Sequence, residues 1–186
     1  MCSPLFFSRS SPACPELRPV IVERRKTKEL SRLALARFAN KAQRAAGLSG
    51  EVNILLTGDA ELQRLNLQFR RQDKPTDVLS FPAAEPASQK GTRQTMPLRS
   101  QALGGDIAIS IQTARLQAVE IGHDLLTEVK VLILHGMLHL AGHDHESDRG
   151  QMSRLEQKLR TELRLPAGLI ERTVEHTAGP RNGRRS

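Results

Sequence analysis

The feature that most constrains this chain is a histidine-rich stretch from His135 to His145. It directly follows the run 129–134, which is apolar except for Lys130. If the stretch is helical, His135 and His139 lie one turn apart on the same face, a spacing at which two histidines can bind one metal ion. Gly142 permits a sharp turn that can bring His145 to the same ion. Three neutral imidazoles leave the fourth position of a tetrahedral zinc ion open for water. The pattern therefore predicts one catalytic zinc ion per chain, bound by His135, His139 and His145.

The alternative is that these histidines are hydrogen-bonded core residues, the commoner role of a single histidine in an apolar helix. Five of the six histidines, however, lie between His123 and His145. Burying three imidazoles without a common partner would leave several polar groups to satisfy separately, which favours the metal site. His123, at a break between helices, is predicted to be exposed. His143 lies in the turn, and we place it outside the ligand set, as a spare ligand or a group that supports one.

Length and composition point to one domain that needs no disulfide bonds. A chain of 186 residues can bury a hydrophobic core of its own. Both cysteines lie in the first 14 residues, so the sequence predicts neither a disulfide framework nor a cysteine metal site, and it favours a reducing compartment, the cytoplasm. The longest apolar run is too short to cross a bilayer, which predicts no membrane span.

The ends of the chain differ in character from its middle. We expect a disordered N-terminal extension over residues 1–18, a single domain over 19–175 with a mobile loop at 84–102, and a disordered basic tail over 176–186. The net charge of +8 suggests a polyanionic partner. About half of that excess lies in residues 1–20 and 176–186, so charge alone does not distinguish an RNA-binding surface from a solvated one.

Hydrophobic periodicity predicts an α+β domain, with about five helices packed on a small mixed four-stranded sheet. The expected strands are 19–22, 51–57, 78–81 and 105–110, the last of them central. The helices are expected to begin at capping residues and to bury one apolar stripe each. The predicted caps are Thr27, Asp59, Ser110, Asp124 and Ser147; the predicted inner faces include Leu30, Leu33, Ala34 and Phe38 in the first helix and Met152, Leu155, Leu159 and Leu163 in the last.

The residue directly after His135 bears on whether the predicted metal site hydrolyses peptides. Metallopeptidases with two histidines at this spacing place a glutamate base directly after the first one, and this chain has Gly136 there. A metallopeptidase stays open as an alternative, because the longer spacing to His145 matches the metzincin pattern and Asp144, Glu146 or Asp106 can replace the base.

Phosphodiester cleavage requires a cation near the metal to balance charge in the transition state. Arg70, Arg71 and Lys74 are the candidates outside the helical faces, although such a basic loop is more often simply solvated. Asp106 begins a strand; it can hydrogen-bond to backbone, or it can orient a histidine ligand or the water.

Three motifs together resemble the YbeY family of endoribonucleases. They are His-Gly-x-Leu-His-Leu-x-Gly-x-Asp-His at 135–145, Pro-Thr-Asp-Val-Leu-Ser-Phe-Pro at 75–82 and Gly-Asp-Ile-x-Ile-Ser at 105–110, within a likeness that covers residues 20–165. The resemblance implies a zinc-dependent, single-strand-specific endoribonuclease that acts in small-subunit (16S) rRNA 3′-end maturation and ribosome quality control. It further implies His135, His139 and His145 as zinc ligands, a critical Arg70 and a functional Asp106.

The resemblance also implies partners: an rRNA precursor, the small ribosomal subunit, ribosomal proteins and assembly GTPases, and no membrane. The chain departs from the family pattern at His143, where a tyrosine is usual, and at Gln72, where a lysine is common. A fourth imidazole near the metal keeps a non-catalytic alternative open, a ribosome-assembly factor that zinc merely stabilises.

Overall fold

The computed structural model describes residues 19–24, 27–83, 104–145 and 148–166. In these ranges lie four strands and five helices: β1 (Val20–Glu23), α1 (Arg32–Ala45), β2 (Val52–Thr57), α2 (Asp59–Arg70), β3 (Val78–Pro82), β4 (Gly105–Ser110), α3 (Ile111–Ile121), α4 (Leu125–Leu140) and α5 (Gln151–Leu163). The sheet order is β1-β2-β4-β3; β1, β2 and β4 run parallel, and β3 pairs antiparallel with β4. The predicted α+β class is confirmed. The predictions for 1–18, 84–102, 167–175 and 176–186 lie outside the described residues.

The alternation of side chains along the strands separates two packing layers. Ile54, Ile107 and Ile109 are fully buried in one cluster with residues of α1, α3, α4 and α5. Ala108 and Leu79 project from the opposite face and pack with Leu62 of α2. The sheet therefore lies between α2 on one face and α1, α4 and α5 on the other.

Helix α4 is the centre of the larger layer. It contacts α1, α3, α5, β3 and β4, and its residues 131–138 are all buried. The carboxylate of Asp124 caps it, accepting from the backbone N–H of Thr127 at 2.7 Å, and this bond above all holds the Asp124 pKa below its usual value. Ser110 caps α3 in the same way. Both caps confirm the sequence predictions. None of the helices in the described ranges is long and apolar enough to span a bilayer.

The predicted cap at Thr27 is wrong. Helix α1 begins only at Arg32, and the hydroxyl of Ser31 accepts from the backbone N–H of Ala34. Thr27 instead belongs to a turn, in which its carbonyl accepts from the N–H of Leu30. The inner face shifts with the helix start: Phe38 is buried as predicted, but Leu33 is 61% exposed.

The second and fifth helices also begin differently from the prediction. Asp59 is the first helical residue of α2, and its carboxylate accepts from the hydroxyls of Ser110 and Thr113, which join α2 to α3. Helix α5 begins at Gln151 after the N-cap residue Gly150, and the Asp148 carboxylate accepts the backbone N–H groups of residues 150–152. The predicted cap Ser147 lies outside the described residues. The predicted apolar stripe of α5 is confirmed, with Met152 and Leu159 buried and two leucines packed beside them.

Candidate metal centre

The last turn of α4 and the loop after it bring three histidines together. His135 and His139 lie one turn apart on the helix, and the chain then reverses at Gly142, which has φ +85°. A side chain at position 142 would meet no atom within 4 Å, so the glycine is required by its backbone conformation and not by lack of space. The N–H of His143 donates to the carbonyl of Leu138 and closes the turn, and His145 follows.

The donor atoms of His135, His139 and His145 all lie within 4.8 Å of one another. The Nε2 atoms of His135 and His139 are 3.1 Å apart, close to the separation of about 3.3 Å that two nitrogens have on a tetrahedral zinc ion. The rings are graded in exposure: His135 is buried, His139 is intermediate and His145 is exposed. The cluster can therefore hold a metal ion with one side open to solvent. His143 is not part of it.

The surroundings of His139 favour its neutral ring. Burial lowers the pKa of His139 to about 4, helped by repulsion from the imidazoles of His135 and His145. Asp144 and a hydrogen bond with the backbone of His143 oppose this shift without reversing it. The ring is accordingly uncharged near pH 7, with a lone pair available, as metal ligation requires.

The nitrogen of His135 that faces away from the cluster is also bound. Its Nδ1 lies 3.0 Å from Oε2 of Glu156 on α5, and Nη1 of Arg160 donates to the other carboxylate oxygen at 3.1 Å. Glu156 is 1% exposed and Arg160 is 2% exposed. Nε2 of His135, which faces His139, is thereby the nitrogen left for a metal.

Gly136 allows α4 to lie directly on the sheet. A Cβ atom at this position would sit 2.9 Å from Cγ2 of Ile107 and 3.1 Å from the hydroxyl oxygen of Ser80. Ser80 donates to the carbonyl of Gly136 at 3.1 Å, which holds the helix against β3. The residue after the first histidine thus faces the sheet, and no glutamate base fits there without moving the helix.

We expect Gly136→Ala to lower the free energy of unfolding by about 1–2 kcal/mol. Overpacking a core costs about 1–3 kcal/mol, and removing a glycine from a helix returns at most about 1 kcal/mol. Chemical denaturation measures the difference. As a control, Gly136→Ala is also made in a protein that carries Ile107→Ala, which lacks the nearest side-chain atoms. In that protein Gly136→Ala should lower the free energy of unfolding by less. Equal costs in the two backgrounds would contradict this packing account.

The other predicted site residues contribute no ligand atom to the cluster of three histidines. Arg70 is the last residue of α2, exposed, and no described carboxylate forms an ion pair with it. Asp106 projects from the α2 face of the sheet and accepts from the side chain of Asn53 at 3.0 Å. Their functional roles stay predictions. The prediction for His123 is wrong: this ring is largely buried and contacts the fully buried carboxylate of Glu128.

Comparison with known proteins identifies the family. A family model described as "Endoribonuclease YbeY" matches residues 18–164. The chain belongs to the YbeY family. A YbeY endoribonuclease of Koribacter versatilis is 46% identical over 84% of this chain and 93% of the relative. One of Solibacter usitatus is 47% identical over 80% of this chain and 90% of the relative. A solution structure from Thermotoga maritima matches with a TM-score of 0.53 and 25% identity, covering 90% of this chain and 99% of that one.

Sequence reasoning missed the contribution of α5 to this centre. Glu156 and Arg160 were not singled out, because the last helix was recognised only by its apolar stripe. A signal was present, because Glu156 and Arg160 follow Met152 at intervals of four and so share its buried side of the helix. A glutamate and an arginine at such positions are expected to pair with each other or with a buried polar group.

Proposed function

We propose that this protein is a zinc-dependent endoribonuclease that cuts single-stranded RNA. The observation that carries the proposal is the cluster of three imidazoles, open to solvent on one side, in a chain of the YbeY family. The relatives named above are endoribonucleases, and their names supply the RNA substrate class.

The donor set favours zinc over magnesium or calcium. Three neutral nitrogen ligands suit zinc, whereas magnesium and calcium prefer oxygen ligands. When bound, zinc would supply a Lewis acid and an acidified water for phosphodiester hydrolysis. The chain itself holds the three rings in place. Arg70 supplies a cation for a phosphate of the RNA. Asp106 is a candidate for a further polar contact in the site.

The cellular substrate we propose is the rRNA precursor of the small ribosomal subunit, at the 3′ end of 16S rRNA, with a role in ribosome quality control. The family resemblance supports this choice. On the same ground we propose that the enzyme acts in the cytoplasm, with ribosomal proteins and assembly GTPases as partners. A metallopeptidase is disfavoured, because Gly136 occupies the position of the glutamate base and packs against Ile107.

The deciding experiment measures metal content, coordination and cleavage on the same preparation. We expect one zinc per chain, three protein nitrogens plus solvent by X-ray absorption, and cutting of single-stranded rRNA precursor that stops with a chelator and returns with zinc. Four protein ligands and no cutting would support the assembly-factor alternative. Casein cleavage lost in His135→Ala would support the peptidase.

Single-strand specificity has its own test at Phe69. This side chain is 58% exposed, packs edge-on against Phe81 with ring centroids 5.0 Å apart, and directly precedes Arg70. Exposed aromatic rings beside cations stack unpaired bases. The chain has no tryptophan or tyrosine, so Phe69→Trp introduces a single fluorophore.

We expect single-stranded oligo(U), added with a chelator to prevent cutting, to quench this tryptophan, and duplex RNA of the same length to quench it much less. Leu67→Trp is the matched control, since Leu67 is exposed on the same helix and projects in a different direction. Equal quenching in the two variants, or by the two RNAs, would contradict a stacking role for Phe69.

A further inference from the structure

The buried contact between His135 and Glu156 assigns a role to α5 in the metal centre. Nδ1 of His135 lies 3.0 Å from a carboxylate oxygen of Glu156, and both side chains are almost completely buried. A carboxylate is an acceptor for the N–H of Nδ1, and Nε2, which faces His139, is then the nitrogen of this ring left for a metal.

The carboxylate of Glu156 also pairs with a buried arginine. Arg160, one turn further along α5, donates from Nη1 to Oε1 at 3.1 Å, and its Nε donates to the carbonyl of Pro166. A carboxylate buried without a cation would be strongly disfavoured in its charged form. Arg160 compensates this charge and leaves Oε2 of Glu156 directed at His135.

We propose that Glu156 is a positioning residue for the metal, which fixes His135 with Nε2 directed at the ion and makes that nitrogen a stronger donor. The inference rests on the proposed function, since it concerns the metal that the three histidines bind. Residues that hold a metal-binding histidine through its second nitrogen typically change metal affinity about 10–100-fold when replaced. Glu156 thus links α5, which contributes no ligand, to the occupancy of the site.

The test compares the full-length parent with Glu156→Gln, Glu156→Ala and the control Glu162→Gln. Glu162 lies on the same helix and is exposed, with its carboxylate 3.9 Å from the ammonium of Lys158. Competition with a chromophoric chelator gives the zinc dissociation constant of each variant. We expect about 10–100-fold weaker binding in Glu156→Ala, a smaller loss in Glu156→Gln, and the parental value in Glu162→Gln.

Two further measurements separate positioning from simple stability. Nitrogen-15 NMR of the zinc-loaded parent should show His135 protonated at Nδ1 and metal-bound at Nε2, and the Nδ1 proton should lose its hydrogen-bonded shift in Glu156→Ala. The melting temperatures of the metal-free proteins report the structural contribution of the contact alone. A lower melting temperature with an unchanged zinc dissociation constant would overturn the proposal. Metal on Nδ1 of His135 in the parent would overturn it even if neither Glu156 variant folds.

The outcomes also distinguish this inference from the nuclease proposal. A parent chain that binds zinc, cuts no RNA and loses affinity on replacing Glu156 would support the positioning role and contradict the nuclease. A parent that cuts RNA with zinc, while both Glu156 variants bind zinc as tightly as the parent, would support the nuclease and contradict the positioning role. A parent that binds no zinc would overturn both.

Discussion

His139→Ala is expected to reduce RNA cleavage by about 10³-fold or more, to the level of the chelated parent. A metal ion supplies several kcal/mol of transition-state stabilisation, and each 1.4 kcal/mol corresponds to tenfold in rate. Removing His139 leaves His135 and His145 as the only protein nitrogens of the cluster, so we expect most of the zinc to be lost. Single-turnover cleavage and bound zinc are measured on the same sample.

His143→Ala is the control, because it removes an imidazole two residues from His145 that does not belong to the cluster. It should retain one zinc per chain and the parental cleavage rate. Circular dichroism must show that His139→Ala is folded, which we expect because this ring is only partly buried. Cleavage that survives in a folded, zinc-free His139→Ala protein would contradict a metal-dependent nuclease. Loss of zinc in His143→Ala would identify a fourth protein ligand and favour the assembly factor.

The elements most predictable from sequence were those determined by local patterns. Val52, Ile54 and Leu56 alternate with less buried residues, and all three are buried on one face of β2. Asp124 and Ser110 were recognised as caps because each is a favoured cap residue at the start of a predicted helix, and the side chain of each accepts the backbone N–H three residues later. The three histidines were found because helical spacing and a glycine turn are both local features.

The failures came from contacts between segments distant in the sequence. Aspartate is a residue type that often caps helices, but the carboxylate of Asp59 instead accepts hydrogen bonds from the hydroxyls of Ser110 and Thr113, more than 50 residues away. His123 was predicted to be exposed because it lies at a break between helices, but in the fold its ring contacts the buried carboxylate of Glu128. Glu156 depended on the packing of α5 against α4, which no local pattern specifies. Local sequence thus predicted the cluster of three histidines better than the groups that contact it.

Arg70→Ala is expected to lower kcat/KM for single-stranded RNA by about 10²–10³-fold while bound zinc stays at the parental level. The loss of one preorganised donor to the charge that develops in a transition state typically has this size. Arg70 is exposed at the end of α2, and no described carboxylate neutralises it, so its charge is available to a phosphate. The change should therefore leave the melting temperature nearly unaltered.

Two variants define what Arg70 contributes. Arg70→Lys keeps the charge but loses the planar fork that grips two phosphate oxygens, so we expect activity between those of the parent and Arg70→Ala. Arg64→Ala removes the same charge from the same helix, but Arg64 is paired with Glu61 at 2.9 Å, and it should cut RNA nearly as well as the parent. If Arg64→Ala and Arg70→Ala lose activity equally, the helix contributes only general positive charge. If neither loses activity, the phosphate contact must come from another cation, and Arg71 and Lys74 would be the next residues to replace.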